Sequence, residues 1–301
     1  MNIQSNYTKT DSETNRKSIS KRIVFSWILG LFALGFSSWA GAFAEKHWSF
    51  VWQSRIILQA VLMSSITILG IWLLRKKIDK GNPKTIGLNS LKPAVLKFLL
   101  GMGIILVPII ITLLTSFMLD SNMITYTINL SILKSSAIGI GIVFLFEALP
   151  EELIFRGYIY SNLNSVYVRW KSALFTVLLF VLLPTLLVPI QKHVLGMDVY
   201  LGGQSFVSLS YIITMLLFGF FVQYLRILSK SVWVGIGFHM LFVYFDRIMG
   251  TTSDNLIQLN TTGSELPLQI AFIGSLLLVF IIVILFPKIS KRNIGWKEIQ
   301  K

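Results

Sequence analysis

Eight apolar runs, each close to the length needed to cross a bilayer, divide this sequence: roughly 23–44, 56–74, 98–119, 135–153, 172–190, 206–228, 232–250 and 266–286. A helix rises about 1.5 Å per residue, so about 20 apolar residues cover a hydrocarbon layer of about 30 Å. Composition agrees: charged residues make up 13% of the chain and hydrophobic residues 54%, with a mean hydropathy of +0.72. A water-soluble domain carries about 25% charged residues. Half that amount cannot coat so much apolar material, so a soluble globular enzyme and a disordered chain are both excluded. The expected fold is all-α and polytopic, with about eight transmembrane helices in a lipid bilayer.

The net charge of +14 does not indicate nucleic acid. A nucleic-acid-binding domain gathers its basic residues on one polar face, whereas here they lie between apolar runs. No cysteine is present, which removes disulfides, iron–sulfur clusters and Cys-ligated zinc. The first apolar run is not read as a cleavable signal peptide, because it is too long and follows a 22-residue polar tail.

The basic residues also orient the chain. The N-terminal tail, alternate connections and the C-terminal tail hold 5 + 7 + 3 + 2 + 5 = 22 Lys and Arg, and the other side holds five: Lys46, Arg55, Lys134, Lys192 and Arg247. Basic residues stay on the cytoplasmic side. The split predicts a multi-pass protein of the cell membrane with both termini in the cytoplasm. Four regions are expected: a cytoplasmic polar tail (1–22), three N-terminal transmembrane helices (23–119), a membrane core (120–250), and a last helix with a basic cytoplasmic tail (251–301). The basic connection 75–97 either sits on anionic headgroups or simply supplies the orienting charge.

An ionisable group inside a span costs about 2.5–3.5 kcal/mol on insertion scales, so each one is a functional suspect. Few qualify: Glu147, Glu151 and Glu152 in the fourth run, Asp246 and His239 in the seventh. Glu152 and Arg156 are four apart and can pair on one helical face, and Glu147 and Glu151 share a face in the same way. On spacing alone the cluster is either an ion pair at a helix end or an acid poised to take a proton from water. Asp246, two turns after His239, either orients that histidine or pairs with Arg247.

Glu151-Glu152-Leu153-Ile154-Phe155-Arg156-Gly157 resembles the E-E-x-x-x-R signature of the CPBP family of membrane proteins, the type II CAAX prenyl proteases and the bacterial Abi or bacteriocin-immunity proteins. Phe218-Gly219-Phe220-Phe221, Arg226, Ser229-Lys230-Ser231-Val232-Trp233 and Gly237-Phe238-His239 resemble the later part of its pattern. The resemblance spans about 120–250. It implies an intramembrane endopeptidase: Glu151 as general base, Glu152 as its partner, Arg156 fixing that helix, and His239 as the third-motif histidine. Glu147 and Asp246 would be supporting acids, and the substrate or partner would be a peptide or a membrane-protein segment met from the cytoplasmic side.

Two positions depart from the family. The second motif, F-x-x-x-H, would fall on Phe180–Pro184, with proline in place of histidine; the third, H-x-x-x-N, on His239–Val243, with valine in place of asparagine. Proline cannot titrate and valine cannot donate to an oxyanion. Losing one such donor costs about 10²–10³ in rate, and losing a positioned acid–base group about 10²–10⁴. An alternative therefore stands beside the enzyme: a catalytically impaired member acting as a membrane scaffold, partner-binding or bacteriocin self-immunity protein. Zinc held by Glu151, Glu152 and His239 is possible but not favoured, because a second histidine is missing; His193 is expected to lie too far toward the outer side to replace it.

Overall fold

The computed structural model describes residues 3–119, 124–126, 130–197, 207–250, 257–259, 266–291 and 293–299. Eight long helices form the bundle: α1 (Ile3–Trp48), α2 (Trp52–Leu73), α3 (Leu91–Leu119), α4 (Leu130–Asn164), α5 (Arg169–His193), α6 (Leu209–Ser229), α7 (Val232–Ile248) and α8 (Leu266–Ile289). Among the described residues, seven segments are long and apolar enough to cross a membrane. The remaining helix, α7, has 17 residues, or about 25 Å. It is sheathed by its neighbours, with Val232, Val234, Ile236, Phe238 and Met240 all buried. Helix α1 runs back to Ile3 and so includes most of the polar tail.

The connections α3–α4 and α7–α8 meet in a small sheet of two- and three-residue strands. β3 (Ile257–Leu259) lies between β1 (Ile124–Tyr126), antiparallel, and β2 (Met249–Gly250), parallel.

Helix α7 is fixed by backbone contact with α3. A Cβ on Gly101 would stand 2.0 Å from the Val234 carbonyl oxygen, and one on Gly237 would stand 2.1 Å from that of Phe98. Only glycine permits this approach, as at small-residue crossings in membranes generally. His239 follows Gly237 by two residues, so the crossing sets where the histidine sits.

The connections that carry most of the basic residues gather at one end of the bundle. Arg22 Nη1 and Arg75 Nη1 both reach Asp79, at 3.3 and 2.7 Å. Lys97 Nζ donates to the Ser229 carbonyl at 3.2 Å. The amides of Arg169 and Trp170 donate to the carbonyls of Glu298 and Trp296 in the C-terminal tail. The basic connection therefore does more than carry charge, since it docks on the α6–α7 turn. At the opposite end Arg55 pairs with Glu45 at 2.6 Å.

Candidate active site

Helix α4 continues well past its expected end. The apolar run stops near residue 153, yet the helix extends to Asn164, with Arg156, Asn162 and Asn164 all buried. The Tyr158 hydroxyl donates to Asp79 at 2.9 Å. Arg156 is fully enclosed and opposed by Glu152. The acid pair is thus inside the helix rather than at its end.

Pro150 shapes the stretch before the acids. Proline has no N–H and its ring crowds the preceding turn. Residues Phe144–Ala148 widen into a π turn, in which the Leu149 amide donates to the Phe144 carbonyl. The next bond of that pattern would join residue 150 to the Leu145 carbonyl, and proline cannot make it. The buried Ser64 hydroxyl of α2 donates to the Leu145 carbonyl instead. A second π segment, Leu153–Ile159, follows the acids. Such bulges concentrate at functional sites.

Where the two π segments meet, the structure brings Glu151, Glu152 and Arg156 of α4 together with His239 of α7. Glu152 Oε1 lies 3.1 Å from Arg156 Nη1 and 3.2 Å from His239 Nδ1. Its other oxygen, Oε2, has no hydrogen-bond partner among the described residues and faces Gly235, where a methyl group would come within 2.7 Å. His239 Nε2 points the other way, 4.0 Å from Glu151 Oε2. Glu152 is fully enclosed, whereas Glu151 keeps 18% of its side chain exposed. The Phe218 ring packs edge-on against the imidazole, with centroids 4.7 Å apart.

Arg156 is held on three further sides. Its guanidinium lies over the Phe180 ring at 4.2 Å, Nη2 donates to the Gly219 carbonyl at 3.3 Å, and its own carbonyl accepts from Arg226 Nε at 3.0 Å. Arg226, counted among the cytoplasmic-side basic residues, is buried at the base of the site near the end of α6, where the Arg156 carbonyl accepts from it. Gly87, at φ 90°, leaves room for it: a Cβ there would stand 2.7 Å from Arg226 Nη2.

The remaining candidates lie apart. Glu147 forms an ion pair with Arg247 across the helices, so Arg247 is not reserved for its neighbour Asp246. Asp246 is exposed two turns beyond His239. Phe180 contributes its ring, but Pro184, one turn on, brings no titratable group. Val243 is half-buried among the apolar neighbours of α7. His193 is exposed at the end of α5 and makes no ion pair with either acid among the described residues.

Zinc takes three or four N and O ligands at about 2.0–2.2 Å. Here the two carboxylates face opposite nitrogens of one imidazole and do not converge on a point beside either. Glu152 Oε1 is also shared with Arg156. Among the described residues, no three His, Cys, Asp or Glu side chains are gathered to hold an ion. The donor set does not fit zinc.

Residues 133–245, which contain all four site residues, match the family described as type II CAAX prenyl endopeptidase Rce1-like. No curated protein and no solved structure matches the chain.

Proposed function

Because the chain belongs, through this membrane core, to the family of CAAX-protease-like membrane proteins, we propose that it is an intramembrane endopeptidase in which Glu151 activates a water. One observation carries the proposal: two adjacent acids occupy different environments. Glu152 is enclosed and committed to Arg156 and His239, whereas Glu151 is partly open and faces the other nitrogen of the same imidazole.

An ionised carboxylate only accepts hydrogen bonds. Glu152 therefore keeps the imidazole proton on Nδ1 and fixes the ring. The 4.0 Å gap between Nε2 and Glu151 Oε2 is too long for a direct hydrogen bond. A water at the ordinary distance of about 2.8 Å from both would sit at the apex of that gap. Glu151 takes a proton from this water, and the oxygen adds to the scissile carbonyl. The proton then passes from Glu151 to the leaving amine as the C–N bond breaks. Arg156 neutralises Glu152 throughout and takes no part in proton transfer. The protein would act in the cell membrane, with both termini cytoplasmic.

Pro184 and Val243 favour a second reading, in which the fold is retained as a scaffold, partner-binding or self-immunity protein. Profiling of newly formed protein N-termini in membranes separates the two. Cells making the protein should accumulate neo-termini that are missing when Glu151→Gln is made at equal abundance. Identical profiles for the two, with the protein's phenotype retained, would leave the scaffold.

A further inference from the structure

A cleft of about 390 Å³ lies between α5, α6 and α8, within the size range of small-ligand sites and lined by neither Glu151 nor His239. Trp170 and Leu174 of α5, Phe220 and Tyr224 of α6, Phe280 of α8 and Trp296 of the C-terminal tail form its walls. The tail is held in place there. Trp296 stacks on Tyr224 with ring centroids 5.8 Å apart, and its carbonyl accepts from the Trp170 amide. The Tyr224 hydroxyl is already used, donating to the Ile284 carbonyl at 3.2 Å. The walls therefore offer ring faces and hydrocarbon.

Gln223 is the exception. It lines the cleft and is 1% exposed, yet neither Oε1 nor Nε2 has a hydrogen-bond partner among the described residues. Polar groups one turn either side of it on α6 are engaged: the Gly219 carbonyl accepts from Arg156, and Arg226 donates to the Arg156 carbonyl. A buried amide without partners is costly, so a ligand that pairs with it recovers what the protein alone forgoes.

The surroundings of the cleft select the ligand. Exposed apolar side chains of α6 (Leu217, Phe220) and α8 (Leu277, Ile281) run up to it, so it opens sideways to the bilayer. With 25 residues α5 is about 37 Å long and overruns a hydrocarbon layer of about 30 Å. Trp170 and Ala173 lie in the first turns of α5 and put the cleft near the level where lipid chains join their headgroups, as tryptophans at membrane interfaces do. Lys171 is exposed at the rim, its ammonium 5.4 Å from the centre of the Trp170 ring, and Lys297, also exposed, follows Trp296. The nearby acid Glu298 is opposed by Arg169 at 3.9 Å. The rim thus favours an anion.

We propose that the cleft between α5, α6 and α8 binds one anionic glycerophospholipid, with an acyl ester on Gln223 and the headgroup at Lys171 and Lys297. Gln223 Nε2 donates to the ester carbonyl, and Oε1 accepts from water of the same layer. The acyl chain lies along Phe220 and Phe280. An apolar chain, a carbonyl at its polar end and a negative charge above it match the walls, the amide and the rim in that order.

The purified full chain in detergent is photo-crosslinked with phosphatidylglycerol carrying a diazirine in its acyl chain, and the adducts are mapped by peptide mass spectrometry. They should concentrate on Leu174, Phe220 and Phe280, at least about tenfold over the exposed Phe32 of α1. Unlabelled phosphatidylglycerol should compete, and zwitterionic phosphatidylcholine should not. Even labelling of the two faces overturns the proposal, and so does equal competition by phosphatidylcholine. Gln223→Leu removes the unpaired amide and should melt no lower than the parent in lipid-free detergent. The phosphatidylglycerol concentration that half-saturates the rise in its melting temperature should increase about tenfold, the effect of losing one buried hydrogen bond. A parental half-saturation in Gln223→Leu would leave the amide to water alone and overturn the proposal. The crosslinking uses the unaltered chain, so it decides the matter even where Gln223→Leu does not accumulate. Neither measurement depends on cleavage, so the lipid site and the peptidase reading stand or fall separately.

Discussion

Helices α4 and α5 both carry proline in mid-span, and they accommodate it differently. Around Pro150, α4 widens into a π turn, borrows the Ser64 hydroxyl, and then buries a Glu–Arg pair with a histidine brought in from α7. Helix α5 takes Pro184 and Pro189 without a π turn, although the Trp27 indole of α1 donates to its Leu179 carbonyl at 2.9 Å. It faces the site with the ring of Phe180, and the hydroxyls of Thr176 and Thr185 turn back to carbonyls of their own helix. The chemistry this fold can perform is thus concentrated in α4 and α7, and α5 acts as an apolar wall. One of the two departures fits this contrast, because Pro184 falls on the wall; the other, Val243, lies on α7 itself.

The largest test removes the compensation. Arg156→Met, which leaves Glu152 buried without its partner, should cost about 3–5 kcal/mol and abolish accumulation of folded protein, as breaking one half of a buried pair does. Survival of the protein in detergent at the parental melting temperature would mean that the pair is not structural. On the α5 side, Phe180→Ala empties a buried aromatic site and should cost about 3–5 kcal/mol by the same melting assay. A loss below that of a surface substitution would show that α5 does not brace Arg156.

Ser64→Ala, read by thermal unfolding, tests the proline device. It strands the Leu145 carbonyl and should cost about 1–3 kcal/mol. An unchanged midpoint would mean that another group satisfies that carbonyl. The smallest effect belongs to the two departures, one on α5 and one on α7. Pro184→His with Val243→Asn restores the family residues at half-buried positions and should leave the melting point unchanged while raising cleavage, if cleavage is present in the parent. A fall in stability comparable to that of Ser64→Ala would show that these two positions are as finely fitted as the proline turn of α4.

Much of this was legible in the sequence. The apolar runs gave the helices, and four-residue spacing paired Glu152 with Arg156. The end of α4 was not legible, because hydropathy registers Arg156, Tyr158 and Asn164 as polar and cannot see that Glu152 and Asp79 lie opposite the first two. Arg226 was missed for the same reason: a basic residue three positions before a helix end reads as interfacial unless its acceptor, the Arg156 carbonyl, is known. The close approach at Gly101 and Gly237 was not legible, since nothing local says which helix comes near. Adjacency left Asp246 either orienting His239 or pairing with Arg247; Arg247 forms an ion pair with Glu147 across the helices while staying within electrostatic reach of Asp246.

The central claim is that two adjacent acids divide the work, Glu152 structural and Glu151 chemical. Parallel measurement of melting temperature and neo-terminus formation for Glu151→Gln and Glu152→Gln tests it most directly. The account predicts that Glu151→Gln melts like the parent and forms no neo-termini, while Glu152→Gln loses stability first. Neo-termini formed at the parental level by stable Glu151→Gln would contradict it.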